Sequence, residues 1–333
     1  MSLLLSDIKL YGSAVMSDDD VVTNVGGAIA LTRKVDFSDI SGLMQIVSST
    51  NSDTTQTVTV SYRDLTGVLT TEVKTLQGQT PVLFVANADR ILKAIKSATT
   101  AGDVALESQT AIRTGTAQVG STSNTIVLDA AASAVDGFFN GNIVRITSST
   151  GAGAIREIID YRGATKIATV NDLWRNPGNT VLLFSTDGVP FRIAQGMLFD
   201  KTPAEVTEVR RPFYDASASA PGGGAKAYYD KVFFKNASNA LSFLTATIAK
   251  TVDLLGKISF GLDTIVNGTS SNGPGNNRQV APAGISFGTA SAVVPGTNLL
   301  AGSTIGVWLK LALLDGDAAA NTSFTMQASG STI

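Results

Sequence analysis

The side chains of this chain best suited to chemistry are carboxylates: the triplet Asp18, Asp19 and Asp20, and the neighbours Glu157 and Asp160. Carboxylates are preferred ligands of calcium, and two of them about 5–10 Å apart across a groove can hydrolyse a glycoside. The triplet lacks the spacing of an EF-hand loop, and no later Gly and Glu complete one, so it reads as a solvated loop. No aromatic sugar platform adjoins the acids, which therefore read as loop and strand-surface groups. The turn Gly151-Ala152-Gly153 invites a phosphate-binding reading. A phosphate loop needs a helix after it, so that amides and dipole converge on the anion; here a strand pattern follows, and the Lys-Ser/Thr of such loops is missing.

The chain contains neither His nor Cys. Imidazole bases, thiolate nucleophiles, disulfides and the common zinc, copper and haem ligands are thereby excluded within it, and so is any Ser-His-Asp or Cys-His device. The expectation is a protein with no catalytic, metal or cofactor residues. Charged residues make up 16% of the chain and the net charge is −2, with no basic stripe that could neutralise phosphates, so no nucleic-acid partner is expected. The opening Met1-Ser-Leu-Leu-Leu-Ser-Asp lacks a basic region and a long apolar run, and reads as no signal peptide. No apolar run approaches the roughly 18 residues of a membrane span, so the expected place of assembly is a cytoplasm, with no membrane partner.

At 333 residues the chain has room for two or three domains. Its abundance of Gly, Ala, Ser, Thr and Asn, with β-branched residues in short runs, is the composition of an all-β protein. The stretch 210–236 is expected to anchor the fold. It carries Arg210, Arg211, Phe213 and Tyr214, then a small-residue linker with Gly222, Gly223 and Gly224, then Tyr228, Tyr229, Phe233 and Phe234. Bulky rings supply the largest apolar area per residue. Strand alternation puts Tyr229, Lys231 and Phe233 on one face and Tyr228, Asp230, Val232 and Phe234 on the other. These aromatics are candidates for interface anchors as well as core; their place inside alternating strands favours core.

Residues 55–62 alternate cleanly, 64–67 form a turn and 68–76 alternate again, so 55–76 is expected to be a hairpin. Residues 87–98 fit a short helix or a strand equally well. Residues 111–187 read as a self-contained unit of short strands at 125–128, 142–147, 154–161, 166–170 and 180–184. Spacing of about 8–12 residues between strands marks a small barrel or sandwich. Further strands are expected at 191–199, 241–248, 257–262, 284–287, 299–302, 306–313 and 324–328, with 267–277 an exposed loop. In 306–313, Val307, Leu309, Leu311 and Leu313 form the expected core face, opposite Trp308, Lys310 and Ala312.

Six segments carry a family resemblance: Asp7-Ile-Lys-Leu-Tyr-Gly-Ser13, Met16-Ser-Asp-Asp-Asp20, Val25-Gly-Gly-Ala-Ile29, Val209-Arg-Arg-Pro-Phe-Tyr-Asp215, Tyr229-Asp-Lys-Val-Phe-Phe-Lys-Asn236 and Gly302-Ser-Thr-Ile-Gly-Val-Trp-Leu-Lys310. Together they resemble virion structural proteins of tailed bacteriophages. The middle, with Gly141-Asn-Ile-Val-Arg-Ile-Thr147, Thr150-Gly-Ala-Gly-Ala-Ile-Arg156, Asp160-Tyr-Arg-Gly-Ala164 and Ala168-Thr-Val-Asn-Asp-Leu-Trp174, resembles a module inserted in phage tail and capsid accessory proteins. The resemblance implies a discontinuous β-sandwich of 1–110 and 188–333, jelly-roll or immunoglobulin-like, with 111–187 as an inserted small β module. It implies a non-enzymatic virion component assembled in the host cytoplasm. The favoured role is a capsid decoration (cement) protein on the major capsid protein shell, as a homo-oligomer for which a three-fold site favours a trimer. The alternative is a neck, tail, baseplate or fibre component. Arg210, Arg211, Phe213, Tyr214, Tyr228 and Tyr229 are the candidate interface residues.

Overall fold

The computed structural model describes residues 8–15, 25–36, 40–149, 151–176, 180–182, 188–199, 205–209, 224–238, 240–253, 256–272, 278–317 and 324–332. Among them there is no helix. In chain order the strands are β1 (Ile8–Ser13), β2 (Ile29–Asp36), β3 (Met44–Ser48), β4 (Thr57–Asp64), β5 (Leu69–Thr75), β6 (Val82–Leu83) and β7 (Ala88–Lys96). Next come β8 (Val104–Ser108), β9 (Arg113–Ala117), β10 (Thr125–Val127), β11 (Asn142–Ile146), β12 (Ile155–Arg162), β13 (Ile167–Val170) and β14 (Val189–Phe199). The last are β15 (Glu205–Val209), β16 (Lys226–Asn236), β17 (Phe243–Asp253), β18 (Ile258–Leu262), β19 (Ala292–Val293), β20 (Thr304–Leu313) and β21 (Phe324–Thr332). Among the described residues no sheet closes into a barrel, and the all-β architecture is consistent with a β-sandwich.

The chain forms two compact units, one of Met1–Val35 with Arg211–Ile333 and the other of Asp36–Arg210. In the first, antiparallel strands run in the order β18-β20-β16-β1-β2, and a second sheet runs β19-β17-β21. A core fills the space between, from Tyr228, Val232 and Phe234 of β16, Val307 and Leu309 of β20, and Ala246 and Ile248 of β17. This is the face that alternation assigned to the core. The opposite face is covered as well: Tyr229, Trp308 and Val25 form a second buried cluster. β16 therefore has charges, Asp230 and Lys231, buried in mid-strand. The runs 284–287 and 299–302, expected as strands, are loops; Leu299 makes one bridge to Phe243, and Gly288, just past the first run, makes one to Phe260. Gly284 and Gly302 adopt left-handed φ values there, which turns the chain before a ladder can extend.

The second unit has strands in the order β10-β13-β12-β11-β14-β8-β3-β6, with β9 also on β14, and a separate run β15-β7-β4-β5. The expected hairpin is present as β4 and β5, paired from Thr57 with Thr75 to Arg63 with Leu69. Its turn is built by Asp64, whose Oδ1 accepts the amides of Thr66 at 2.8 Å and Val68 at 3.0 Å. Val58, Val60 and Tyr62 are fully buried on one face of β4, each contributing roughly 1.5–3 kcal/mol. Residues 87–98 resolve as strand β7, held on both sides by β4 and β15. Among the described residues of 180–184, Val181 makes a single bridge to Arg175 instead of a strand.

The borders of these units fall at 35/36 and 210/211, and the expected insert 111–187 lies wholly within the second unit. The eleven-residue β14 links that insert to the rest of the unit. Its first part pairs with β9 and β11 of the expected insert, and its last four residues, Gly196 to Phe199, pair with β8 outside it. One strand thus carries the sheet across the expected border. Residues 117–193 nonetheless share a core of their own, with Trp174, Phe139, Tyr161 and Phe191 at its centre.

Two local features predict measurable effects. Glu72 on β5 accepts the Tyr62 hydroxyl at 2.6 Å and the Val85 amide at 3.1 Å, and pairs with Lys74 at 3.0 Å. Burial pushes its carboxyl up, but these bonds and the Ala86 amide outweigh it and hold the pKa at about 2, below an ordinary 4.5. A folded value below the unfolded one stabilises fully above pH 4.5, and the contribution is lost as the pH falls through about 2. The gap in unfolding midpoint between the native protein and Glu72→Gln is therefore expected to shrink steadily on acidification; a gap constant with pH would refute this.

Gly153 explains the glycine turn that resembles a phosphate loop. Its φ is +86°, and a Cβ there would overlap Gln79 Nε2 and lie 2.6 Å from the Ser49 carbonyl oxygen. Gly153→Ala is expected to lower stability by about 1–3 kcal/mol in chemical denaturation, through overpacking and backbone strain.

Candidate functional site

Of the candidate interface residues, Arg210, Arg211, Phe213 and Tyr214 lie outside the described residues, as do Asp18, Asp19 and Asp20. Tyr228 and Tyr229 are 2% and 6% exposed, so both rings are already covered within their unit. Phe233 and Phe234 are buried too, in keeping with a core role. Glu157 and Asp160 both lie on β12. Asp160 pairs with Arg162 at the surface, at 3.0 Å. Among the described residues, no three acids, His or Cys gather in a way that could hold a metal ion.

The structure instead brings together a charged cluster around β16. Asp230 and Lys231 are neighbours in the chain and point to opposite faces of the strand. Asp230 accepts from the Arg278 guanidinium, and both are buried. Lys231 Nζ lies 2.8 Å from Asp263 Oδ2 and donates to the carbonyl oxygens of Ser270 at 2.9 Å and Gly27 at 3.2 Å. The ammonium also stands 4.7 Å from the Phe233 ring centre and 5.3 Å from that of Trp308. Asp263 Oδ1 accepts from Trp308 Nε1 at 3.1 Å and from the Ser270 hydroxyl. Burial pushes the Lys231 pKa down, and Asp263 pulls against that shift.

The backbone is shaped to fit this cluster. Gly306 of β20 shares the face of Lys231, and a Cβ on it would overlap both Asp263 Oδ2 and Lys231 Cε. Gly26 has φ +104°, and a Cβ there would lie 2.7 Å from Trp308 Cη2. The loop expected to be exposed at 267–277 supplies Ser270 to the cluster, and its Asn272 Oδ1 accepts the Val25 amide at 2.9 Å. One signal in the sequence pointed here. Two adjacent charges inside an aromatic strand must each find a partner once buried. Which residues partner them, some thirty to fifty positions away, had no sequence signal.

Beside the cluster runs a shallow groove of about 390 Å³, with walls from Phe260, Leu262, Phe287, Val293 and Pro295. Among the described residues Asp263 is the one acid in its lining, and Lys231 engages it.

The Asp36–Arg210 unit has a surface of different character. β5 ends its run of strands, and its alternate residues Leu69, Thr71, Val73 and Thr75 face outward. Leu65, Val73 and Val85 are 69%, 59% and 78% exposed, with Val68, Leu69 and Leu83 also exposed. These aliphatic groups are exposed at a hairpin and at a strand that ends its run.

No protein-family model, curated protein or solved structure matches the chain.

Proposed function

We propose that this chain is a non-enzymatic structural protein of a tailed-bacteriophage particle, and specifically a capsid decoration protein on the outer surface of the major capsid protein shell. One observation carries the reading. Three of the segments that resemble phage virion proteins come together as adjacent strands. Ile8 to Tyr11 of β1 pair with Phe233 to Asn236 of β16, and Tyr229 to Lys235 of β16 pair with Thr304 to Lys310 of β20. The Val25-Gly-Gly stretch joins them, since the Gly27 carbonyl accepts from Lys231. The resemblance therefore falls on one connected piece of the fold. The exposed aliphatic residues of the 65–85 region add a surface suited to a protein partner. A homo-oligomer, favoured as a trimer, would match a three-fold site on a shell.

The test is copy number. Particles are digested and the chain is quantified by mass spectrometry against the major capsid protein. A ratio near unity supports decoration. A few copies per particle would move the protein to the neck, tail or baseplate. Absence from particles would overturn the reading altogether.

A further inference from the structure

We propose that Lys231 and Asp263 condense spontaneously into an intramolecular amide, so that a covalent bond ties β16 to the end of β18 across the face of β20. The site has the parts such a step requires. The nitrogen lies 2.8 Å from the oxygen it would displace, and both side chains are essentially without solvent exposure. That contact is close without the alignment of a hydrogen bond. Gly306 beneath the pair leaves the room in which they meet. The other carboxylate oxygen, Oδ1, accepts from Trp308 Nε1 and from the Ser270 hydroxyl, donors placed to stabilise charge on a tetrahedral carbon.

The atoms balance without any further reactant. The ammonium passes one proton to Oδ2, which leaves a neutral amine and a carboxylic acid. Burial, which pushes the Lys231 pKa down, favours the neutral amine. The amine nitrogen adds to Cγ. A second proton leaves the nitrogen through Ser270 Oγ, 3.2 Å from Nζ, and reaches Oδ1, which gives a neutral tetrahedral carbon with a hydroxyl at each oxygen. The Oδ1 proton then passes to Oδ2 as the carbonyl reforms at Oδ1, the Cγ–Oδ2 bond breaks, and Oδ2 departs as a single water with both transferred protons. Placement inside one molecule supplies an effective concentration of about 10⁵–10⁸ M, which offsets the preference of dilute amides for hydrolysis. The product's polar atoms already have partners: its N–H can donate to the Ser270 or Gly27 carbonyl, and its C=O keeps accepting from Trp308 Nε1 and the Ser270 hydroxyl.

The inference does not depend on the particle role, and its test needs only the purified full-length chain. Intact-mass spectrometry under denaturing conditions is expected to show a mass about 18 Da below that of the sequence, the water lost. Digestion is expected to yield a branched peptide joining the segments that contain Lys231 and Asp263. Lys231→Arg and Asp263→Ala are expected to restore the full mass. Native protein at the full sequence mass would overturn the proposal. So would a deficit that persists in Lys231→Arg, since it would belong to another site. Should the variants fail to fold, the native digest alone decides.

Discussion

Glu107→Gln is expected to lower the stability of the Asp36–Arg210 unit by about 3–5 kcal/mol, although the change removes no side-chain volume. Glu107 sits in β8 with no solvent exposure. Its Oε1 accepts Gln45 Nε2 at 2.6 Å and an Arg145 nitrogen at 2.9 Å, and lies 3.4 Å from Arg192 Nε. Arg145 and Arg192 stand directly opposite each other on β11 and β14. Burial lowers the Arg192 pKa, and Glu107 counters that shift. Without the carboxylate, two like charges would face each other in a space that strands on both sides prevent from opening. Asp160→Asn is the contrast. Its ion pair with Arg162 has side chains 45% and 65% exposed, and its loss is expected to cost under about 1 kcal/mol. Trp174 is buried in this unit and Trp308 in the other, so Trp174 fluorescence in urea reports on the change. A loss from Glu107→Gln as small as that from Asp160→Asn would show that the guanidinium groups reach water.

Trp308→Ala is expected to destabilise the other unit by about 3–5 kcal/mol. The indole is fully buried against Val25 and Tyr229, and Gly26 lacks the Cβ that would collide with it. Removing the ring leaves a cavity and strips a donor from Asp263 and Ser270. Trp308→Phe keeps most of the apolar area and loses only the N–H, so it is expected to cost about 1–3 kcal/mol. Chemical denaturation of the two variants separates packing from hydrogen bonding. Equal losses would mean that the indole N–H, and not the ring, accounts for the effect.

Trp308 also shows how far local pattern reaches. Alternation correctly separates Val307, Leu309 and Leu313 from Trp308 and directs the former to a core. It implies that Trp308 lies on the less buried side, because alternation describes a strand with one covered face. Loops 263–272 and 278–288 and the Val25-Gly-Gly stretch cover the second face, and their approach is a long-range event. The same limit explains 284–287 and 299–302. Each is apolar enough for a strand, but a strand needs a partner over several residues, and pairing here stops at single bridges, at Leu299 and at Gly288 just past the first run.

The amino-acid sequence by itself determined the all-β class, the 57–75 hairpin and the two faces of β16 and β20. These follow from β-branched alternation and turn residues acting over a few positions. It also determined, through the absence of His and Cys, which catalytic chemistries are closed to the chain. Only the tertiary structure decided the rest. It divided the chain into compact units at 35/36 and 210/211, and it let β14 hydrogen-bond both to β9 inside 111–187 and to β8 outside it. The segment 87–98, open to helix or strand, became a strand because β4 and β15 satisfy its backbone. Lys231 found Asp263, and Glu107 found Arg145 and Arg192, because a charge buried in a strand must be paired from whichever element the fold brings beside it.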